Sequence, residues 1–479
     1  MSDSCGCEVT PEDTSNHLVI IGGGSAAFSA AIKASELGAK VTMINDGLPI
    51  GGTCVNVGCV PSKFMIRSSE TIHKANSHGF DGLETNGRVA DYKSVVSQQR
   101  RLVEELRHAK YINVVADLPD FKIIEGKGRL VSPNIVEVNG ENIKADHILI
   151  ATGASPKIPS VPGLDKSGYL TSTTALDLDK LPESIIVLGG RYIALEMAQM
   201  LSRFGCRVTM LQRSSRILPT EMEDLTGALT NYLTDEGIEI VTGVTLLNVS
   251  RTNGETTVEA IVDGAERTFK ASQALVTTGR KPNTEDMGLE EAGIDLDENG
   301  FIKIDDNLRT SVENIYGAGD VIGEPMFVYT AAYEGALAVE NAITGLSRAK
   351  DYTALPWVIF TDPQVAGVGL DEIEAKKQGI DAEASTLPLL HVPRSLAACD
   401  TRGFIKLIRD KNTDLLVGAR ILAPEGSELL MEVSLAIKHE ITVKEIVSAF
   451  HPYLTLSEGI KLAAITFGKS VDKLSCCAV

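Results

Sequence analysis

The chain is poor in aromatic residues, which fill 5% of its 479 positions and include a single tryptophan. It is also short of positive charge: 45 Lys and Arg face 64 Asp and Glu, a formal net charge of −19. So acidic a protein repels phosphate backbones and anionic lipid, which argues against nucleic-acid partners and a polybasic membrane anchor. No apolar run approaches the ~20 residues of a membrane span, and Met1–Asn16 lacks the basic, then apolar, order of a secretory signal. A cytoplasmic enzyme is the expectation. The eight cysteines are not spread as a disulfide framework for a chain of this size. Six of them form close pairs, Cys5 with Cys7, Cys54 with Cys59 and Cys476 with Cys477, which points to thiol chemistry.

The middle pair lies in Ile50-Gly-Gly-Thr-Cys-Val-Asn-Val-Gly-Cys-Val-Pro-Ser-Lys63. Gly51, Gly52 and Gly58 allow a tight backbone path, and Pro61 suits the first turn of a helix expected over Ser62–Arg67. A thiol near a helix N-terminus feels the positive end of the macrodipole, which favours thiolate. Thiolate is the form that acts as nucleophile, electron donor or soft-metal ligand. A structural zinc site is disfavoured, because no second ligand pair stands at zinc spacing. Cys5-Gly-Cys7, in a polar tail, could bind a soft metal or be incidental.

Two strand–glycine–helix units follow the pattern of dinucleotide sites. In His17–Ala27, Gly22, Gly24 and Ala27 match G-x-G-x-x-A, whose backbone approaches a pyrophosphate at a helix N-terminus. A second strand, Lys40–Ile44, completes the unit. The ribose-binding acid expected at its end falls on Asn45 or Asp46, and either could bond a hydroxyl. The second unit is Ser184–Glu196, where Gly189 and Ala194 fit but Arg191 replaces the second glycine. Its side chain either crowds the pyrophosphate or contacts a phosphate. The next strand ends at Gln212 and Arg213, with Arg216 just beyond. Positive charge in place of an acid favours the 2′-phosphate of NADPH. Helix is expected over Asp91–Tyr111 and short strands over Phe121–Val138. Beyond Asp351, strands are expected at Trp357–Phe360, Gly403–Ile408 and Leu415–Ile421, with helices at Glu425–Lys438 and Val443–Ala449.

The Ile50–Lys63 block resembles the redox-active dithiol of the flavoprotein pyridine nucleotide-disulfide oxidoreductases, and the resemblance extends over nearly all of the chain after residue 16. It implies FAD and NADPH as cofactors. Cys54 would be the interchange thiol facing the substrate and Cys59 the one against the flavin. Lys63 would sit near the flavin N5, paired with Glu196. Gly52, Thr53, Gly153 of the Ala-Thr-Gly turn and Asp46 would join Gly22, Gly24 and Ala27 in holding FAD. Asp320, closing Thr310–Asp320, would bond the ribityl chain, and the helix after it, Ala331–Ala342, would aim its N-terminus at the ring system. Gly279 would join Gly189, Ala194, Arg213 and Arg216 around NADPH. Tyr192 would cover the nicotinamide pocket. The implied fold is α/β: FAD-binding domain 17–160 and 281–350, NADPH-binding domain 161–280, and an α+β dimerisation domain 351–466, with tails at 1–16 and 467–479. The C-terminal part would complete the active site of the partner subunit in a homodimer.

One stretch departs from most of that family: Phe450-His-Pro-Tyr-Leu-Thr-Leu-Ser-Glu458. Disulfide reductases carry His-Pro-Thr…Ser-Glu, whose histidine, oriented by the glutamate, is the acid–base for thiol–disulfide exchange. Aligned on Thr455 and Glu458, that position holds Tyr453, and His451 lies two residues earlier. A phenol, with an ordinary pKa near ~10, cannot take a thiol's proton at pH 7 as an imidazole near ~6.5 does. A metal ion held by thiolates needs no such base. The chain also ends Ser475-Cys-Cys-Ala-Val479. Tyrosine in the histidine's place and a C-terminal Cys-Cys occur together in the mercuric reductases, where the pair captures Hg(II). The resemblance therefore implies reduction of Hg(II), arriving as a thiol complex, to Hg(0). Cys54, Cys59, Cys476 and Cys477 would be the metal-binding thiols, in a catalytic core without a separate N-terminal mercury-binding domain. The alternatives are a disulfide reductase with atypical acid–base chemistry, using His451, and a soft-metal binder without catalysis.

Overall fold

The computed structural model describes residues 16–473; Cys5, Cys7, Cys476 and Cys477 lie outside them. The chain gathers into two compact units. One holds the residues up to Val60 with Leu102–Ser155 and Arg280–Lys350; the other holds Pro61–Arg101, Pro156–Gly279 and the residues from Asp351 onward.

The first unit is built on a five-stranded sheet in the order Ile315–Gly317, His147–Ile150, His17–Ile21, Lys40–Asn45, Phe121–Glu125. Every neighbouring pair is parallel. The two central strands, His17–Ile21 and His147–Ile150, are near-continuous runs of Val, Ile and Leu, as a sheet buried on both faces requires, while the edge strand Phe121–Glu125 is only partly covered. Ser25–Glu36 and Val328–Thr344 pack on one face, and both helices are rich in alanine. That composition lets their backbones approach closely. A Cβ added to Gly335 would lie 2.1 Å from the carbonyl oxygen of Ala26.

The second unit contains another parallel sheet, ordered Glu239–Val241, Arg207–Leu211, Ser184–Leu188, Gln273–Val276, Leu170–Thr171. It carries an antiparallel meander, Thr245–Thr252, Glu255–Val262 and Ala265–Ala271. It also contains an antiparallel sheet ordered Trp357–Ile359, Gln364–Gly369, Leu416–Ala423, Phe404–Asp410, Ala382–Pro388. The helices Leu430–Lys438, Val443–Ser448 and Glu458–Ile465 cover that sheet around a core of Val433, Ile405, Leu407 and Ile460. The expected Asp91–Tyr111 helix runs Tyr92–Arg107 and widens to a π-turn over His108–Ile112. The start of the expected Glu425–Lys438 helix is a 3₁₀ turn, Gly426–Leu429, ahead of the α-helix.

Gly335→Ala is expected to lower stability by about 1–3 kcal/mol, the usual cost of forcing atoms into a packed contact. A lower melting temperature with reduced flavin content would register it; an unchanged melt would mean that the two helices can slide apart freely.

Candidate active site

In the first unit, two glycine turns meet backbone to backbone. Gly22 has φ +131, and a Cβ there would lie 2.2 Å from the carbonyl oxygen of Ala151. Gly24 caps the Ser25–Glu36 helix, and Gly52 approaches it so closely that a Cβ on Gly52 would lie 2.7 Å from the Gly24 Cα. The Gly51 amide donates to the Gly23 carbonyl at 2.8 Å. A cradle of small residues before a helix N-terminus is what a pyrophosphate needs. Ala27 is fully buried in that helix. Asn45 is turned inward, its Nδ2 donating to the Leu48 carbonyl at 3.1 Å and to Glu125 Oε2 at 3.2 Å. Asp46 stands exposed just past the strand end.

The cysteines are carried by helices and not, as expected, by a turn ahead of one. Thr53 and Cys54 belong to a short helix, Gly52–Val57, and Cys59 opens the next, Cys59–Asn76. The longer helix starts three residues before Ser62 because Pro61 falls in its first turn, where an N–H has no intrahelical acceptor to lose. Cys54 is half-buried and Cys59 exposed. Asn56, between them, ties the turn down: its Nδ2 donates to Pro49 O at 2.9 Å and Gly52 O at 2.8 Å, and its Oδ1 accepts from Arg107 Nη1 at 3.0 Å. Tyr111 was not singled out in the sequence. Its ring packs edge-on to Phe28, its hydroxyl lies 3.4 Å from Ser25 Oγ, and burial pushes its phenol up. The one available signal was the scarcity of aromatics.

The end of the Thr310–Asp320 segment is tied down by carboxylates, of which Glu334 is fully buried and Asp320 half-buried. Glu334 Oε2 accepts from the Gly319 amide at 2.7 Å. Asp320 is pushed up by burial and pulled back by Arg280, whose Nε lies 3.3 Å from Asp320 Oδ2. Arg280 also donates to the Ala154 carbonyl. Asn283 locks the Ala-Thr-Gly turn, donating from Nδ2 to Thr152 O at 2.8 Å, while Gly153 keeps φ +71 with open space around it. A half-buried carboxylate, Asp320, in the same unit as a glycine cradle fits the chemistry of a ribityl chain and a pyrophosphate.

The second unit carries the same turn geometry for a nucleotide. Gly189 has φ +130, and a Cβ there would meet the Thr277 carbonyl oxygen at 2.6 Å. Arg191 takes the cap position that Gly24 takes in the first unit, with φ −108 against −94 and ψ −169 against −168. These extended angles suit any residue, and the Arg191 side chain is exposed. Ala194 is buried, and Gly279 has φ +120 with nothing near it. Arg213 is exposed; Arg216 instead turns onto its own loop, Nη2 donating to the Pro219 and Glu221 carbonyls at 3.1 Å each. Of the two arginines expected at the end of this strand, Arg213 is the one left exposed.

One face of the Tyr192–Phe204 helix is joined residue by residue to the segment Trp357–Asp362. Tyr192 stacks on Trp357, with ring centroids 5.8 Å apart and planes at 14°. Glu196, only 8% exposed, accepts the Phe360 amide at 2.9 Å on one oxygen and Lys63 Nζ at 2.7 Å on the other. Lys63 also lies over the Phe360 ring at 4.6 Å. Gln199 exchanges hydrogen bonds of 2.8 Å with both backbone groups of Asp362. Arg203 Nη2 reaches Asp362 Oδ2 at 3.0 Å. The Lys63–Glu196 pair is therefore formed as the resemblance implied. Cys206, at the end of this helix, is buried, which pushes its thiol up to about 12. It is chemically silent. Cys399 is exposed and packs close to Gly79, where an added Cβ would lie 2.9 Å from the Cys399 Cβ.

In the Phe450–Glu458 stretch, Tyr453 is 55% exposed. His451 points elsewhere, its Nε2 2.6 Å from Glu432 Oε1. Glu458 accepts the Leu454 amide at 3.1 Å and so steadies a residue at φ +62. No histidine–glutamate pair of the disulfide-reductase kind is assembled there by these residues.

Residues 16–335 match the pyridine nucleotide-disulphide oxidoreductase family, and residues 355–464 match the dimerisation domain of the same family. A mercuric reductase of Staphylococcus aureus is 44% identical over 96% of this chain and 84% of its own length. One from Streptomyces lividans is 41% identical over 97% of this chain and 99% of its own. Among solved structures, the HOCl-induced flavoprotein disulfide reductase RclA of Escherichia coli aligns at a TM-score of 0.83 and 28% identity, covering 93% of this chain and 98% of that one. LpdA of Mycobacterium tuberculosis aligns at 0.84 and 28%, covering 95% and 100%. FAD and NADPH are the cofactors. The chain belongs to the pyridine nucleotide-disulphide oxidoreductase family, in its mercuric reductase branch.

Proposed function

We propose that this protein reduces Hg(II) to Hg(0) in the cytoplasm, with Cys54 and Cys59 holding the metal while it is reduced. The observation that carries the reading is the Phe450–Glu458 turn. Tyr453 occupies the acid–base position, His451 is engaged by Glu432, and Glu458 is engaged by the Leu454 amide. Exchange with an organic disulfide needs a group of near-neutral pKa to protonate the departing thiolate. A metal bound by two thiolates has no such leaving group, and thiolates select soft ions. Relatives named mercuric reductase, at 41–44% identity, support the same substrate.

In this reading Cys476 and Cys477 of the partner subunit take Hg(II) from small thiols by ligand exchange, each new S–Hg bond replacing an old one. Cys54 and Cys59 then accept the metal by the same exchange, with Tyr453 lining the path. When bound, NADPH supplies a hydride and FAD passes its electron pair onward. Hg(II) takes up two electrons and leaves as a neutral atom, and the two sulfurs remain as thiolates. Lys63 stands one turn along the helix from Cys59, and its ammonium, fixed by Glu196, supplies positive charge beside a reducing flavin. Gly22, Gly24, Ala27, Asp46, Gly52, Thr53, Gly153 and Asp320 hold FAD. Gly189, Ala194, Gly279 and Arg213 form the NADPH site, with Arg216 bracing its loop through the Pro219 and Glu221 carbonyls and Tyr192 covering the nicotinamide pocket.

The test is NADPH oxidation with Hg(II) in excess small thiol, beside oxidised glutathione and lipoamide. Mercury-dependent oxidation with release of volatile Hg(0), and little turnover of either disulfide, is expected. Fast disulfide turnover would transfer the acid–base role to His451, and a colourless protein without flavin would leave only metal binding. Cys54→Ala and Cys59→Ala are each expected to lower kcat/KM for Hg(II) by more than ~10³-fold, since groups that act as a unit fail together. Replacing Cys476 and Cys477 by alanine should slow acceptance of thiol-complexed Hg(II) while NADPH still bleaches the flavin. Full activity in Cys54→Ala would refute the mechanism.

A further inference from the structure

The stack of Tyr192 on Trp357 is part of a row that crosses the antiparallel sheet. Trp357 pairs with Gly367, Gly367 with Arg420, and Arg420 with Lys406. Gly367 leaves the room in which the indole lies: a Cβ there would come within 2.4 Å of Trp357 Cζ2. The Arg420 guanidinium faces the same indole at 5.5 Å. Arg420 is itself fixed, donating from Nε to Glu221 Oε2 at 2.8 Å and from Nη1 to the Ala419 carbonyl at 3.0 Å. The indole is therefore seated on a glycine, bordered by an anchored cation, and cannot follow a moving neighbour. Tyr192 is differently placed. It is the first residue of its helix, directly after the glycine turn, and only half-buried. The rest of that helix face is pinned by Glu196, Gln199 and Arg203. If the ring moves, it does so by side-chain rotation away from a fixed platform.

We propose that Trp357 is a positioning residue for NADPH: its stack holds the Tyr192 ring in the parked position and so sets how much binding energy the nicotinamide must supply to displace it. The inference rests on the reading of Tyr192 as the cover of the nicotinamide pocket. A ligand that needs a minor conformation binds more weakly by the fraction of molecules in that conformation. An aromatic stack of this geometry is worth a factor of about two to ten in such an equilibrium. Removing the platform raises the fraction in the open conformation. Apparent NADPH affinity should then improve, while the rate at saturation stays nearly constant.

The experiment uses the FAD-loaded enzyme and steady-state kinetics with NADPH at saturating thiol-complexed Hg(II). Trp357→Leu is expected to lower KM for NADPH by about two- to tenfold with kcat within about twofold, and Trp357→Phe, which keeps a ring to stack on, to stay near the parent. In a Tyr192→Leu background, Trp357→Leu should add nothing. Trp357 is the only tryptophan, so its emission reports the stack directly. Saturating NADP⁺ should change that emission in the parent and not in Tyr192→Leu. This reading needs no substitution at Trp357, so it holds even where Trp357→Leu fails to load flavin. An unchanged or raised KM in Trp357→Leu, the same shift persisting without Tyr192, or an emission indifferent to NADP⁺ in the parent would each overturn the proposal. If Tyr192→Leu alters KM and Trp357→Leu does not, the cover stands and the platform falls. If neither alters it, the cover reading falls as well.

Discussion

One buried carboxylate joins three pieces of the second unit. Glu196 has two oxygens and uses both, one on Lys63 of the cysteine-bearing helix and one on the Phe360 amide beside the antiparallel sheet. It stands on the helix that follows the glycine turn of the second nucleotide unit. An ion pair this sheltered differs from a surface pair, whose median worth is ~0–1 kcal/mol. Loss of one partner leaves a charge stranded away from water, which for fully buried pairs costs about 3–5 kcal/mol. Lys63 is about one-third exposed, so the cost here falls below that range. The larger consequence is geometric. Tyr192, Gln199 and Arg203 lie on the same helix face at helical spacing, and each finds its partner on Trp357–Asp362 because Glu196 fixes the register.

The first unit solves a different problem with the opposite chemistry. A pyrophosphate needs backbone amides at close range, so side chains must be absent where the chain crosses itself. Gly22 against Ala151, Gly52 against Gly24 and Gly335 against Ala26 are contacts that no side chain would allow. Polar groups then fasten the loops from behind: Glu334 on Gly319, Asn283 on Thr152, Asn56 on Gly52. The cradle is thus shaped by absence and held by amides and carboxylates from elsewhere in the chain.

Much of this was legible in the sequence because it is local. Strand–glycine–helix units and the cysteine block rest on spacing within a short stretch, and the central parallel strands on aliphatic runs such as Leu18–Ile21 and Ile148–Ile150; the Lys63–Glu196 pairing, 133 residues apart, was legible only through the family resemblance. What was missed depends on tertiary contact. The Cys59–Asn76 helix begins earlier than its proline suggested, because a proline in a first turn does not end a helix behind it. Gln364–Gly369, with two glycines, is a strand absent from those expected, and Gly367 is there to admit the Trp357 indole. Tyr111 and Arg280 gain their importance only from what the fold sets beside them. Arg216 looked equivalent to Arg213 until its guanidinium was found on Pro219 and Glu221.

The departure at Tyr453 carries the substrate argument because it is a substitution with all its consequences absorbed. Had the turn only lost a histidine, Glu458 would be a buried carboxylate without a client, which is costly. Instead Glu458 accepts the Leu454 amide, and that bond helps hold a non-glycine residue in the left-handed region, a conformation that costs energy by itself. His451, two residues away, has its own carboxylate in Glu432. The stretch is therefore a settled structure with a phenol facing outward, and not a disulfide-reductase site with a part missing. Chemistry that must protonate a thiolate meets a phenol at the position aligned with the histidine, while the turn's own histidine is engaged by Glu432. Chemistry that hands a soft ion from sulfur to sulfur needs only thiolates and an accessible path, and asks nothing of this turn that an exposed tyrosine withholds.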